Sequence, residues 1–573
     1  MSKKFKGIGI GEGVSVAKAF LLKEPEFKFD ENSSLSIEKE LSNYDNTLKE
    51  ASLQMQKLIE TSTKNISAEK GEIFQAHLEI IKDEQIQEEV RQLINSGKSE
   101  AWSIANVFDK YQSMFESMAD AYFKERASDI KDLKKRLLSI SLRIPLPDLL
   151  LIHEECIIIA HDLSPSETAI LDKKYIKGFA TNIGGATSHS AIMARTLEIP
   201  ALVSLKNITS QIQNGDLVAL DAKEGILESD LSEEDKKAWE SRRQNFEKEK
   251  VELEKYKTLD CTTKDGVSVS IKGNIGQPKD LKKVIEYGGK GVGLFRSEFL
   301  YMESQDWPTE EEQFAAYKEV LEGAKGEEVV IRTLDIGGDK HLNYFQFPKE
   351  MNPFLGYRAI RLSLDKEEIF VTQLRALLRA SAFGNLKIMF PMITCYEEFL
   401  KAKEVTKRVE GELAKEGIKI GKYKLGMMVE VPSAAVLSSV FSKEAEFFSV
   451  GSNDLIQYTH AVDRMSEEVN YLYQPNNPSI LNLINMTVIG ANENNREVSV
   501  CGEMASNVSS AILLVGLGVK SLSMSATAIP SIKRAINKLT LKECQEIAQK
   551  ALKLSTEEEV KEAFKEFVSG KGI

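Results

Sequence analysis

From Cys261 onward, eight short apolar segments recur, each separated from the next by enough chain for a helix: Val267–Lys272, Gly291–Phe295, Val329–Ile331, Leu386–Phe390, Leu425–Val429, Phe447–Val450, Val498–Val500 and Ser521–Met524. Short runs of β-branched, aromatic and other apolar residues bounded by glycine and polar residues read as strands, and strands that alternate with helices build a parallel sheet. Eight repeats over about 300 residues predict a closed (β/α)8 TIM barrel, the fold in which the chemistry collects at the carboxyl ends of the strands.

The remaining chain is of a different kind. At 573 residues the sequence is too long for one core. Between Glu26 and Ile144 it has no proline and only two glycines, Gly71 and Gly97, while Leu41, Tyr44, Leu48, Ala51, Met55 and Leu58 recur at helical spacing. That stretch predicts an all-helical bundle with helices near 36–63, 69–95, 99–126 and 128–142, broken at Asn95-Ser96-Gly97. On either side, β-branched runs such as Cys156-Ile157-Ile158-Ile159 and Leu217-Val218-Ala219-Leu220 predict an α/β domain. The expected organisation is therefore a multidomain α/β protein. Residues 1–24 and 145–228 form an α/β domain, 25–144 a helical insert, 229–260 a charged linker helix and 261–573 the barrel.

Several classes are excluded early. Hydrophobic residues make up 42% and charged ones 28%, and no apolar run approaches the roughly 18 residues of a membrane span. The basic start MSKKFKGIGIGEG lacks an apolar signal core, and Cys156, Cys261, Cys395, Cys501 and Cys544 show no paired spacing. A reduced, cytoplasmic protein without membrane insertion is expected. The net charge of −12 argues against nucleic acid as the main partner.

At or just after the barrel strands stand Arg296, Arg332, Glu430, the run Gly451-Ser452-Asn453-Asp454, and Cys501-Gly502-Glu503; Arg358 and Arg464 fall on long loops. Four arginines in one mouth predict a small, highly anionic ligand, because the guanidinium fork matches phosphate and carboxylate oxygens and keeps its charge. Glu430 and Asp454 supply the hard oxygen ligands of a Mg²⁺ site, and equally suit partners of the arginines or solvated loop positions. Cys501 has two open uses, a thiol that gives a proton to carbon or a small core residue.

One histidine stands apart. In Gly184-Gly185-Ala186-Thr187-Ser188-His189, two glycines precede a predicted helix that Thr187 or Ser188 can cap, which puts His189 in its first turn beside unpaired backbone N–H groups. Such a position suits a phosphoryl acceptor, although a lone histidine is more commonly structural. Arg195, two turns along, is either a phosphoryl contact or a surface residue. Gly7-Ile8-Gly9-Ile10-Gly11-Glu12-Gly13 reads as a strand turn rather than a phosphate loop.

Taken together, GGATSHSAIMARTLEIPAL, VGLFRSEFLYM, IRTLDIGGDK, NPFLGYRAIR, MVEVPSA, FFSVGSNDLIQYTHAVDR and CGEMA resemble the motifs of the phosphoenolpyruvate-utilising enzymes across nearly the whole chain. The helical insert is similar to that of the Enzyme I branch of the bacterial phosphoenolpyruvate:sugar phosphotransferase system. The resemblance implies that phosphoenolpyruvate phosphorylates His189 on Nε2, that the phosphoryl group passes to a histidine of the carrier HPr, and that pyruvate leaves. It implies Arg296, Arg332, Arg358, Asn453, Asp454 and Arg464 around the substrate, Mg²⁺ on Glu430 and Asp454, Cys501 as proton donor and Thr187 orienting the histidine. It further implies HPr docking on the insert, with Asp129, Asp132 and Leu133 similar to the carrier-facing stretch. A homodimer through the barrel is also implied, as is a swing of the histidine domain about residues 228–260. Dikinases and synthases with the same barrel need a nucleotide-binding domain, for which a helical insert of about 120 residues is of the wrong class. A regulatory protein that keeps only the fold is the other alternative.

Overall fold

A computed structural model describes residues 2–573 except 24, 66–67, 118–120, 147–148, 150–151, 165–166, 169–170, 186–187, 198, 303, 339, 341, 465 and 467. The chain divides into two compact units, Met1–Glu249 and Lys250–Ile573.

The first unit is built on an eight-stranded sheet of β1 (Lys3–Lys6), β2 (Ile8–Ile10), β3 (Val14–Leu22), β4 (Cys156–Ala160), β5 (Ile176–Thr181), β6 (Ala201–Val203), β7 (Leu217–Asp221) and β8 (Ile226–Ser229). Their order is β1-β8-β7-β3-β4-β5-β6-β2. Strands β3 to β6 run parallel, while β2, β7 and β8 pair antiparallel at the flanks. In β4, Ile158 and Ala160 pack into one core and Ile157 and Ile159 into the other. Burial on both faces explains why this strand is an unbroken apolar run. The amino-terminal glycines serve this packing, since a Cβ on Gly9 would lie 1.7 Å from the carbonyl oxygen of Ala222.

Adjacent parallel strands β3 and β4, with Lys18 opposite Cys156, are joined by the helical insert. It contains α1 (Ile37–Asn65), α2 (Ala68–Lys82), α3 (Glu84–Asn95), α4 (Glu100–Ser117) and α5 (Ala121–Ser141), around a separate core that includes Tyr44, Phe74, Val90, Ile104, Phe108 and Leu137. Two boundaries differ from expectation. The helix expected over 69–95 is divided at Asp83, whose carboxylate accepts the N–H groups of Gln85 and Ile86 at 2.9 and 3.0 Å and caps α3. The expected break near 127 is absent, because Ala127 is buried in a segment without glycine or proline and α5 runs through it. Between β5 and β6 lies α6 (His189–Leu197), and beyond β8 follows the charged α7 (Glu233–Tyr256), within which the division between units falls. Trp239 anchors the start of α7 by donating to Glu228 at 2.8 Å.

The second unit is the barrel: β9 (Ser270–Ile275), β10 (Val292–Arg296), β11 (Glu328–Arg332), β12 (Asn385–Phe390), β13 (Tyr423–Val429), β14 (Phe447–Val450), β15 (Glu497–Val500) and β16 (Ser521–Met524), closed and parallel throughout. The first strand begins three residues later than expected. Val267 belongs instead to a tight turn in which its carbonyl accepts from the Thr263 N–H at 2.9 Å. Alternate residues face the lumen, as the pleat requires. Leu294, Val330, Met389, Met428, Phe447 and Cys501 form the inner cluster, while Phe448, Val450 and Val500 join the layer between strands and helices. At the amino-terminal end of the lumen, Glu328 lies between Lys272 and Lys387. The five cysteines are free, and among the described residues no helix is long and apolar enough to cross a membrane.

Candidate active site

At the barrel mouth β10 ends on half-buried Arg296 and β11 on Arg332, which is only 5% exposed. Arg332 donates from Nη2 to Glu298 at 2.6 Å and from Nη1 faces Asp335 at 2.8 Å. Arg358 comes from the loop after β11 and donates to Asp335 at 2.9 Å, to Asp454 at 3.4 Å and to the Tyr458 hydroxyl at 3.1 Å. Lys340 donates to Glu298 at 2.8 Å. Glu430 directly follows β13 and accepts the Met392 N–H at 2.5 Å. Asn453 and Asp454 open the helix Ser452–His460; Asn453 accepts from the Glu503 N–H at 3.0 Å, and Arg464 lies 3.9 Å from Asp454. The barrel thus brings together Arg296, Arg332, Arg358, Glu430, Asn453, Asp454, Arg464 and Cys501.

The electrostatics are unusual for a core. Burial opposes charge on Arg332 and Arg358, but Asp335 beside both, together with Glu430 and Asp454, outweighs it and holds their pKa values above the usual guanidinium range. Burial pushes Glu430 up to about 8, and the negative charges of Asp454 and Asp335 add to the effect. Asp335 itself is held well below the usual carboxylate range, since Arg332, Arg358 and Lys340 overcome its desolvation. Arg332 Nε, Arg358 Nε and Asp454 Oδ1 are buried without a hydrogen-bond partner. Such atoms are costly in a finished core and suit a site that completes itself on an anion and a cation.

The backbone is constrained to match. Met392, whose N–H holds Glu430, has φ 55°, and Ala359, next to Arg358, has φ 54° and ψ −125°. Positive φ in residues with a Cβ costs on the order of 1–3 kcal/mol and gathers at functional sites. Gly337 has φ 115°, and a Cβ there would lie 2.5 Å from that of Arg358, so glycine lets the two loops close.

Cys501 lies just past β15, 2% exposed, with its thiol 3.6 Å from the Val450 carbonyl. Burial pushes its pKa up; Ser449, Arg332 and Arg296 pull it down, and Glu430 opposes them. It remains a protonated thiol beside the arginines.

In the first unit, Ser188 accepts the Ala191 N–H at 3.3 Å, so it caps α6 and places the His189 backbone in the first turn. Gly184, at φ 111°, makes the approach. Thr187 and the His189 side chain lie outside the described residues. Arg195 is exposed. Ser188 and Ser190 line a cleft of about 320 Å³ with Lys131, Asp132, Lys135 and Glu167. Of the three α5 residues expected to face a carrier, only Asp132 reaches this cleft. Leu133 is 1% exposed and Asp129, 6% exposed, faces His77 at 3.3 Å; positions 129, 133 and 137 share the helix face turned into the bundle.

Comparison with known proteins is consistent along the chain. Three family profiles match: PEP-utilising enzyme, N-terminal, over residues 6–126; mobile domain, over 152–225; and PEP-binding domain, over 250–541. The chain is 47% identical to the phosphoenolpyruvate-protein phosphotransferase of Mycoplasma genitalium, covering all of both chains. It is 46% identical to that of Staphylococcus carnosus, over 99% of each. The chain belongs to the phosphoenolpyruvate-protein phosphotransferase family of PEP-utilising enzymes. A solution structure of an Enzyme I protein, 35% identical, aligns over 42% of this chain and 99% of its own with a TM-score of 0.39. The protein is accordingly a transferase.

Sequence reasoning missed Glu298, Asp335, Lys340 and Tyr458. All four lie inside the recognised motifs, in VGLFRSEFLYM, IRTLDIGGDK and FFSVGSNDLIQYTHAVDR. For the first three, a charged residue two to eight positions after an arginine-bearing strand end was the available signal; Tyr458 carried none.

Proposed function

We propose that the enzyme transfers the phosphoryl group of phosphoenolpyruvate to His189 and from there to a histidine of HPr, releasing pyruvate as the first step of the sugar phosphotransferase system. The observation that carries this reading is the mouth itself, four arginines around two buried carboxylates above a buried cysteine. Arg296, Arg332, Arg358, Asn453 and Arg464 hold the phosphate and carboxylate of the substrate. Positioning and charge neutralisation are most of what phosphoryl transfer requires. His189 Nε2 attacks phosphorus in its neutral form, as a nucleophilic imidazole must. The P–O bond breaks with its electron pair on the enolate oxygen. The thiol of Cys501 then gives its proton to the terminal carbon, which makes pyruvate.

Glu430 and Asp454 would hold Mg²⁺. The chemistry of the donor set fits a hard divalent ion. Asp454 keeps an oxygen without a hydrogen bond, and its negative charge adds to the cost of ionising Glu430 in a way a cation relieves. When bound, the ion neutralises charge on phosphate and enolate oxygens.

In this reading 1–24 and 145–228 form the phosphohistidine domain, 25–144 docks HPr, 229–260 links, and 261–573 binds phosphoenolpyruvate and forms a homodimer in the cytoplasm. Exposed Val436, Leu437, Val440, Met486 and Ile489 on neighbouring barrel helices support the dimer, since contiguous apolar surface marks interfaces. Thr187 is assigned to orienting His189.

The test mixes the protein with phosphoenolpyruvate, Mg²⁺ and HPr without nucleotide. One pyruvate per phosphorylated HPr is expected. A requirement for ATP, or pyruvate without phosphorylated carrier, would overturn the proposal.

A further inference from the structure

Beneath Cys501 the barrel wall is polar where packing alone calls for aliphatic side chains. Phe447 belongs to the inner cluster, so Ser449, two residues on, faces the lumen as well; Ser523 and Asn274 occupy lumen positions on β16 and β9. Asn274 donates from Nδ2 to the carbonyl of Cys501 at 2.8 Å, reaching past β16, and its Oδ1 accepts from the Ser523 hydroxyl at 2.6 Å. These two bonds fix the amide plane of Asn274 and tie the residue that bears the thiol to two other strands. Ser449 is fully buried and its hydroxyl forms no hydrogen bond of good geometry. It is nevertheless close enough to the Cys501 thiol to pull its pKa down against burial. An unpaired buried hydroxyl is costly, and an alanine here would avoid that cost.

We infer that Asn274, held by Ser523, and Ser449 are positioning residues for Cys501: the amide fixes where the thiol points, and the hydroxyl receives the charge it acquires. The inference rests on the reading of Cys501 as proton donor. In that step the S–H bond breaks and its pair stays on sulfur, while the enolate's electrons form the new C–H bond. The product thiolate is buried, and Ser449 donates to it until a solvent proton restores the thiol. The charges that act on the sulfur include Arg332, Arg296 and Glu430. The arginines are also occupied with substrate, which leaves Ser449 as the neutral donor dedicated to sulfur. Packing alone would require neither the amide bridge nor the lumen hydroxyl.

The experiment uses the full chain with phosphoenolpyruvate, Mg²⁺ and HPr, and compares Ser449→Ala, Ser449→Thr, Asn274→Ala and Cys501→Ala. Ser449→Ala is expected to lower kcat for pyruvate about tenfold, a fraction of what general acid catalysis contributes, with KM for phosphoenolpyruvate unchanged. Ser449→Thr restores most of it. Alkylation of the Cys501 peptide, followed by mass spectrometry, should shift to higher pH in Ser449→Ala. In the Cys501→Ala background the serine change should have no further effect. Asn274→Ala should lower kcat without moving the alkylation profile. Should Asn274→Ala fail to fold, the Ser449 pair decides. An unchanged alkylation profile in Ser449→Ala, or an equal loss in the Cys501→Ala background, overturns the inference. If Cys501→Ala alone forms pyruvate at the wild-type rate, the proton-donor reading fails first, and that outcome is separately visible.

Discussion

Asp335→Asn removes one charge and leaves the shape of the side chain. Asp335 is 1% exposed and faces Arg332 at 2.8 Å, Arg358 at 2.9 Å and Lys340 at 3.7 Å. At an effective dielectric of about 20, the two arginine pairs are worth roughly 6 kcal/mol of attraction each and the lysine pair roughly 4, so the gross loss is on the order of 16 kcal/mol. Recovered desolvation of the carboxylate, several kcal/mol, offsets much of this, and Glu298 and Asp454 continue to neutralise part of the cationic charge. The net destabilisation of the barrel should then be about 3–5 kcal/mol, as when one partner is removed from a buried pair. Urea unfolding reads it, with Trp102→Phe and Trp239→Phe leaving Trp307 as a probe confined to the barrel unit. The sign of the pH dependence follows from a folded pKa held below the ordinary value. The contribution is complete above about pH 4 and is lost only as pH falls toward the folded value. The gap between wild type and variant should therefore be constant from pH 8 to 5 and narrow below about 4. A loss under about 1 kcal/mol, or a gap that closes by pH 6, would refute the reasoning.

Glu328→Gln probes the other end of the lumen. Burial raises the Glu328 pKa, but Lys272 and Lys387 more than reverse this, so the variant should lose about 1–3 kcal/mol at pH 7 and nothing once pH falls well below 4, by the same unfolding assay. In Gly451→Ala a Cβ would lie 2.9 Å from both Glu430 Oε2 and Met428 Sδ, so kcat/KM should fall at least tenfold with the fold retained by circular dichroism. Glu430→Gln should abolish saturable Mn²⁺ binding by calorimetry along with pyruvate formation; retained metal affinity would move the metal elsewhere.

The barrel was legible because its strands are separated runs of β-branched and aromatic residues, and Arg296 and Arg332 stand directly at strand ends. The first strand was misplaced because Val267 and Val269 continue the apolar alternation upstream, while the Thr263 turn that ends it is a side-chain effect. Asp83 was overlooked since nothing apolar interrupts the helical period there; only its capping carboxylate marks the break. Asp129 and Leu133 looked like a carrier surface in sequence, yet helical phase turns them inward. Asp335 and Lys340 were not singled out, because their role depends on a loop folding back over β11 onto Arg332. That return is a tertiary event that spacing does not encode.

The central claim is that His189 carries the phosphoryl group. Brief incubation with phosphoenolpyruvate and Mg²⁺ alone, followed by tandem mass spectrometry under alkaline conditions that preserve phosphohistidine, tests it most directly. The added phosphoryl mass should map to the His189 imidazole, disappear in His189→Ala and be discharged by HPr. Phosphoryl on another residue, or an unlabelled wild type that still converts phosphoenolpyruvate to pyruvate, would contradict it.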